Sequence, residues 1–309
     1  MDTVFQYCID SPNIDEVIDS PFLEIRGWIV SDLTNKIETP YLCDPKGRKH
    51  ILYLVIRKDV VEAFPNKSVI GFKRLFSISE LYYGDKWRLT FLINGEQKEI
   101  ILSFVISLKL YDTFLLQKQN KLKKIFNILR CPKCGFDQLN QMSSSLNCNE
   151  CGSTFSYDTN RYNFLTEEFK IQADVSDTDN VSANQYDEVT LDLINKYDNG
   201  IILDNGAGLR KVYFENIVNL DVADYPTTDV LAIGEVLPFK SNVFDAVLSL
   251  AVIEHIKNPV KYVEELYRCL KPGGIVLAVV PFLQPFHGYP NHFYNMTSNG
   301  LKNLFEINK

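Results

Sequence analysis

Four cysteines come in two pairs, Cys131-Pro132-Lys133-Cys134 and Cys148-Asn149-Glu150-Cys151, with residues 135–147 between them. Two CxxC pairs at this spacing are a strong zinc signal. Gly135 and Gly152 follow the second cysteine of each pair, as a tight knuckle requires. Four thiolates close a tetrahedron and leave no position for water or substrate, so the expected zinc is structural. Its ligands are Cys131, Cys134, Cys148 and Cys151, and its binding would supply much of the folding free energy of so small a module. Cys8, Cys43 and Cys269 are scattered. That distribution belongs to a metal site in a reducing compartment, not to a disulfide framework.

A second constellation begins at Asp204-Asn205-Gly206-Ala207-Gly208, directly after the apolar run Ile201–Leu203. Glycines there permit positive φ and let the backbone approach a ligand with no Cβ in the way. The next apolar run, Ile217–Leu220, ends in Asp221, where a carboxylate can accept hydrogen bonds from both hydroxyls of a ribose. Three histidines follow in loops, His255 beside Glu254, then His287 and His292. Each is a candidate general base for a hydroxyl acceptor, and His287 is the first choice. The loop that carries the last two is rich in aromatics (Phe286, Tyr289, Phe293, Tyr294) that could wall a substrate pocket. Packing against a sheet is the competing role for that loop, as a backbone hydrogen bond is for His255.

These residues need strands to end beneath them. Ile201–Leu203, Ile217–Leu220, Phe244–Ser249 and Ile275–Val280 read as strands, with Asp229-Val230-Leu231-Ala232 and the turn-like LPFKSN between the second and third. A helix is expected from Ala183 to Tyr197, with Tyr186, Val189, Leu193 and Ile194 on its apolar side. Another starts at Asn258-Pro259, N-cap and first-turn proline, and turns Val260, Val263, Leu266, Tyr267 and Leu270 inward. Lys271-Pro272-Gly273-Gly274 stops it. Strand, helix and strand in this order imply a parallel sheet with its ligand at the strand carboxyl ends.

This arrangement resembles the class I S-adenosylmethionine (SAM) methyltransferases, of the methyltransferase type 11-like group. The residues that carry the likeness are LDNGAG, LPFKSNVFDAVLSLAVIEHI and LKPGGIVLAVVPF, in the family's order and spacing over about a hundred residues. A dehydrogenase on a similar fold would want GxGxxG, where Leu209-Arg210-Lys211 stands here. The resemblance implies a Rossmann-like domain with SAM as cofactor. Asp204, Gly206, Ala207 and Gly208 would line its methionine part, and Asp221 would hold the ribose. Many relatives use an aspartate before LPF for the adenine amino group; here that position is Ile233, with Glu235 as the substitute. Residues 209–220 alone separate the glycine turn from Asp221, which cuts the usual first helix to about a turn, since a full crossover needs at least about 10–12 residues. The family's last two strands are missing after the helix pattern Ser298–Phe305. The edge of the final strand would then lie open to a partner or a second copy.

Residues 1–107 read as an all-β module. Phe22–Val30, His50–Arg57, Arg88–Ile93 and Glu99–Leu108 are strand-like, with Leu23, Ile25, Gly27 and Ile29 forming one face. Asn94-Gly95 marks a two-residue hairpin. Ser11-Pro12, Gly27-Trp28, Arg57, Asp59-Val60, Phe64-Pro65 and Gly71-Phe72 resemble a β-sandwich module found beside bacterial glycosyltransferases and sugar-modifying enzymes. Trp28 is either a stacking face for a glycan or a core residue, and core is the favoured role. Residues 108–130 read as a connecting helix with Leu115, Leu122, Ile125, Phe126 and Leu129 on one stripe and Lys118, Lys121, Lys123, Lys124 and Arg130 on a solvated basic face. Residues 131–165 resemble the zinc ribbon that precedes the catalytic domain of several methyltransferases, including some that act on ribosomal RNA. Residues 166–182 read as a linker and 183–309 as the methyltransferase-like domain.

The expected architecture is therefore multidomain α/β: a β-sandwich, a four-cysteine zinc ribbon and a C-terminally short Rossmann-like domain. A net charge of -7 and a pI near 5.3 argue against broad nucleic-acid binding. The residues MDTVFQYCIDSPN lack the basic-then-apolar pattern of a signal peptide and the longest apolar runs are too short to span a bilayer, so a cytoplasmic location is expected. The region after the final strand looks like that of a bacterial subgroup linked to surface-polysaccharide or sugar biosynthesis. A sugar, glycan or polysaccharide precursor is thus the expected methyl acceptor. RNA methylation, supported by the ribbon and the basic helix, is a second reading. A non-catalytic scaffold is a third, supported by Ile233, the short crossover and the missing strands.

Overall fold

Among its described residues, the first unit, Met1–Leu116, contains ten strands, a short helix and the start of a longer one. The structure is a computed structural model, and it describes residues 5–18, 22–44, 47–77, 87–106, 108–175, 185–210, 212–287 and 291–306. The strands are β1 (Phe5–Ser11), β2 (Glu16–Ile18), β3 (Phe22–Asp32), β4 (Tyr41–Cys43), β5 (Lys49–Ile51), β6 (Tyr53–Val55), β7 (Lys67–Ser77), β8 (Trp87–Ile93), β9 (Glu96–Leu102) and β10 (Phe104–Ile106), with α1 at Lys58–Ala63. Two antiparallel four-stranded sheets, β1-β3-β7-β6 and β5-β4-β8-β9, feed one core. Leu23, Ile25, Ile29 and Phe72 come from the first sheet and Leu42, Leu89, Phe91 and Ile93 from the second. Asn94 and Gly95 take positive φ (53° and 81°) between Ile93 and its partner Glu96, the two-residue hairpin expected.

Two expected strands break. His50–Arg57 splits into β5 and β6 at the buried Leu52, because β5 pairs with β4 in one sheet and β6 with β7 in the other. Glu99–Leu108 splits at Ser103, whose carbonyl accepts the Asp15 N–H, and β10 turns away to pair with β2. Trp28 is not core. The face of Leu23, Ile25, Gly27 and Ile29 is buried, so the period of two leaves Trp28 half-buried on the other face, where its ring meets Phe64 at 5.7 Å. Gly27 stays glycine by contact, since a Cβ there would stand 2.3 Å from the Cys8 carbonyl oxygen.

The helix α2 (Leu108–Phe126) leads into the second unit, Gln117–Lys309. Its apolar stripe buries Leu122, Ile125 and the following Leu129, as expected. The solvated basic face does not hold for two residues. Lys118 and Lys121 are 1% and 2% exposed. The Lys118 ammonium donates to the carbonyls of Pro226 (2.7 Å) and Thr228 (3.1 Å), and Lys121 pairs with Asp229 at 2.6 Å. Burial drives both ammonium pKa values down, that of Lys118 to about 8.

One nine-stranded sheet runs through this unit. Its order is β11 (Leu139–Gln141), β12 (Ser145–Cys148), β13 (Thr154–Tyr157), β14 (Tyr162–Asn163), β17 (Val230–Leu231), β16 (Ile217–Asp221), β15 (Ile202–Asn205), β18 (Phe244–Leu250) and β19 (Leu270–Val279). Pairing is antiparallel from β11 to β14 and parallel from β14 to β19. The cysteine-bearing ribbon is therefore not set apart at residue 165. Tyr162 and Asn163 pair with Val230 and Leu231, which closes an edge that β17 would otherwise leave bare. The core joins them too, with Cys131, Cys148, Leu146 and Phe155 in one cluster with Leu203, Val218, Leu220 and Val247.

Residues 166–175, expected as part of a linker, contain α3 (Glu167–Ala173), capped by Thr166, whose hydroxyl accepts the Phe169 N–H. The rest of that linker, and the expected helix start at Ala183, lie outside the described residues. The helix that follows is α4 (Glu188–Lys196), capped by Asp187. α5 (Pro259–Cys269) starts as expected at Asn258-Pro259 but buries Tyr262, Val263, Leu266 and Cys269, while Val260 is 44% exposed. The helical period admits both stripes, and the sheet selects the one holding Tyr262. No helix occurs among the described residues between β15 and β16, in keeping with the short crossover. β19 pairs only with β18 among the described strands, and α6 (Ser298–Glu306) packs on α5, with the Tyr267 hydroxyl donating to the Phe305 carbonyl. No helix among the described residues is long and apolar enough to cross a membrane.

Candidate active site

A cleft opens where β15, β16, β17 and β18 end, the place a parallel sheet offers a ligand. Its walls are Asn205-Gly206, Leu220–Val222, Ala232–Glu235, Ala251-Val252 and His255-Ile256, with residues 173–175 at the end of α3, Tyr262 of α5, and Asn291. It holds about 730 Å³ of atom-free space, part of it open to solvent.

The glycine turn behaves as its residue types require. Gly206 has φ 81° and Gly208 φ 64°. A Cβ on Gly206 would stand 2.5 Å from a Val252 methyl, so bare backbone faces the cleft there. The Gly206 and Ala207 N–H groups donate to the Leu220 carbonyl, which ties the turn to the end of β16. Asp221 closes the same corner. Its carboxylate accepts the Gly208 N–H (2.7 Å) and the Ala223 N–H (2.8 Å), and burial raises its pKa to about 6 against those bonds. Glu235, 4% exposed on the facing wall, is also raised by burial.

Asp204 is turned away from the cleft. Strand pleating puts Ile202 and Asp204 on the α4 face and Leu203 and Asn205 on the α5 face. Asp204 is fully buried, 2.9 Å from the Arg210 guanidinium, and accepts the Tyr186 hydroxyl at 2.7 Å. Ala207 and Gly208 do not line the cleft either; the first is buried and the second is bonded to Asp221. Asn205 takes the place expected of Asp204. It is 1% exposed, lines the cleft, and its Nδ2 has no hydrogen-bond partner. The signal for it was present in the sequence, in the alternation that groups it with Leu203.

The three histidines come together beside this cleft, with ring centroids 4.4–5.9 Å apart. Only His255 lines it. Its Nδ1 faces the Asn291 carbonyl at 2.5 Å; a carbonyl accepts only, so Nδ1 carries the proton and Nε2 the lone pair. His287 repeats this with the Pro285 carbonyl at 3.0 Å. His292 is occupied on both nitrogens: Nδ1 accepts the His287 N–H, and Nε2 donates to the Tyr294 carbonyl and Asn295 Oδ1. That leaves it a support for His287 and not a base. Phe286, Phe293 and Tyr294 are exposed and do not wall the cleft, and Tyr289 lies outside the described residues.

Behind His255 stands Glu254, fully buried, with neither carboxylate oxygen hydrogen-bonded. Burial lifts its pKa to about 7 and lowers that of His255. Glu254 carries no pattern of its own in the sequence beyond its place next to His255.

In the ribbon, Cys131 and Cys151 bring their sulfurs to 3.6 Å, and Cys134 and Cys148 to 3.5 Å. All four lie within 4.8 Å of one another. Tetrahedral Zn–S bonds of ~2.3 Å put sulfurs ~3.8 Å apart, so the donor set fits zinc. Gly135 and Gly152, at φ 77° and 73°, donate to the Cys131 and Cys148 carbonyls and shape the two knuckles.

Residues 209–278 match the protein family described as "Methyltransferase domain". An uncharacterized methyltransferase of Mycobacteroides abscessus is 38% identical over 69 residues, 22% of this chain and 27% of that protein. One from Mycolicibacterium vanbaalenii is 40% identical over 63 residues, 20% of this chain and 25% of that protein. The chain thus spans about a quarter of the length of these curated relatives. Among solved structures, a SAM-dependent methyltransferase of Thermotoga maritima, titled a possible histamine N-methyltransferase, aligns with a TM-score of 0.29 and 20% identity over 35% of this chain and 63% of that one. The parallel strand order β17-β16-β15-β18-β19 is that of a Rossmann-like sheet. The matched residues 209–278 carry β16, β17 and β18, whose ends form the cleft, and most of β19.

Proposed function

We propose that this chain is a SAM-dependent methyltransferase acting on a hydroxyl of a sugar, glycan or polysaccharide precursor, with a structural zinc on Cys131, Cys134, Cys148 and Cys151. The carrying observation is the cleft in which the bare Gly206 backbone, the Asp221 carboxylate and the unpartnered Asn205 Nδ2 converge at adjacent strand ends. SAM, when bound, supplies a methyl group on a sulfonium. Asp221 keeps lone pairs free for ribose hydroxyls, and Asn205 has a donor to offer a carboxylate or carbonyl. Ile233 and Leu220 give an apolar wall suited to an adenine, and Glu235 stands two residues from Ile233 for its amino group. For a hydroxyl acceptor, the Glu254–His255–His287 group on the cleft's rim is where the proton would leave.

The sugar acceptor is supported by the resemblance of the N-terminal module to those beside sugar-modifying enzymes. RNA loses part of its support, because Lys118 and Lys121 are spent inside the fold. Titration calorimetry of the zinc-loaded protein with SAM tests the reading. Saturable one-to-one binding is expected, together with label transfer from methyl-labelled SAM to nucleotide-sugar or oligosaccharide acceptors. Folded, zinc-loaded protein that binds no SAM overturns it.

A further inference from the structure

We infer that Glu254, His255 and His287 form a binding site for a divalent first-row transition ion at the edge of the cleft, separate from the four cysteines. The two imidazole Nε2 atoms each stand 3.9 Å from the same oxygen, Glu254 Oε1. One ligand atom from each residue lies within 4.8 Å of the others. Octahedral ligands at ~2.1 Å from an ion stand ~3 Å apart, so the three atoms need to close by about one to two ångströms. Both lone pairs point inward because each ring spends its Nδ1–H on a backbone carbonyl, Asn291 for His255 and Pro285 for His287. That is the outer arrangement that fixes the tautomer of ligating histidines.

Glu254 supplies the independent sign. A fully buried carboxylate with both oxygens unbonded is costly unless a cation or a proton meets it. Its main chain is held: the Glu254 carbonyl accepts the Phe293 and Tyr294 N–H groups, which fastens the loop carrying His292 to the turn after β18 that carries Glu254. Two imidazoles and one carboxylate suit manganese, iron, cobalt or zinc, not the all-oxygen shells of calcium and magnesium. Three protein ligands leave positions open toward the cleft, as catalytic ion sites do.

The ion site stands on these three side chains whether or not the cleft takes SAM. Its role in methyl transfer rests on that reading: an acceptor hydroxyl bound to the ion would lose its proton to solvent at lower pH, and its oxygen would then attack the methyl carbon as the carbon–sulfur bond breaks.

The test is manganese binding to the full-length, zinc-loaded protein, followed by electron paramagnetic resonance, since the thiolate site does not favour manganese. One manganese per chain is expected, with affinity lowered at least about tenfold in Glu254→Gln and in His287→Ala. Glu254→Gln keeps shape and volume, and thermal melting of both variants reports their folding. Cobalt is the second probe, expected to give weak d–d bands that Glu254→Gln removes while the cysteine-site charge-transfer band persists. Absence of a manganese site in the parent protein, or affinity unchanged in folded Glu254→Gln, overturns the proposal. SAM binding measured on the same samples separates this outcome from failure of the methyltransferase reading.

Discussion

Asp221 shows how burial and hydrogen bonds compete on one side chain. Its pKa is raised from 3.8 to about 6, with desolvation outweighing the N–H groups of Ala223 and Gly208. In the unliganded protein the folded state therefore holds this proton more tightly than the unfolded chain does. The stability this contributes is complete below pH 3.8 and is lost as pH rises through about 6. A ribose that donates to the ionised carboxylate works in the opposite sense. SAM affinity should fall by about tenfold per pH unit below that pKa. Calorimetry between about pH 5 and about pH 8 reads it, and a flat profile would remove Asp221 from the ribose site. Asp204 and Arg210 make a different kind of pair, both at 1% exposure or less. Arg210→Ala removes the guanidinium from the buried carboxylate, leaving the Tyr186 hydroxyl bonded to it, and should cost about 3–5 kcal/mol in chemical denaturation. A loss under about 1 kcal/mol would mean water reaches Asp204.

At the scale of elements, the departures from expectation share one cause. Hydrophobic period fixes which residues share a face, but a neighbouring element decides which face is inside. α2 carries a lysine pair that reads as solvated, and β17 with the Thr227–Asp229 turn buries it. α5 has two stripes of comparable pattern, and Tyr262 reaches the sheet because its ring fills the space that Gly234 leaves open, where a Cβ would stand 2.3 Å from it. Trp28 follows the same rule in reverse, its strand-mates taking the core face. Caps and turns were more legible, because their chemistry is local: Asn258-Pro259 at α5, Asn94-Gly95 between β8 and β9, and the two glycine knuckles stand where sequence alone puts them.

On the scale of the whole second unit, the ribbon and the cleft belong to one sheet and one core. Zinc removal should therefore be felt beyond the cysteines. With the metal chelated, hydrogen exchange should lose protection first at Tyr162–Phe164 and then at Val230–Leu231, the strand pair that joins ribbon to cleft. SAM affinity should drop with it. Exchange confined to 131–157 would show instead that the parallel sheet stands without its ribbon.

The order of motifs along this chain determined the parallel sheet, the glycine turn, Asp221 at a strand end and the four sulfur donors, because each depends on residues close in sequence. Which side chains meet across the cleft was settled only by tertiary structure. Pleating took Asp204 to Arg210 and gave Asn205 to the cleft, and β14 docked on β17 through a pairing of Tyr162 with Val230. Glu254, His255 and His287 became one group for the same reason: the turn after β18 and a distant loop share backbone hydrogen bonds that no local pattern encodes.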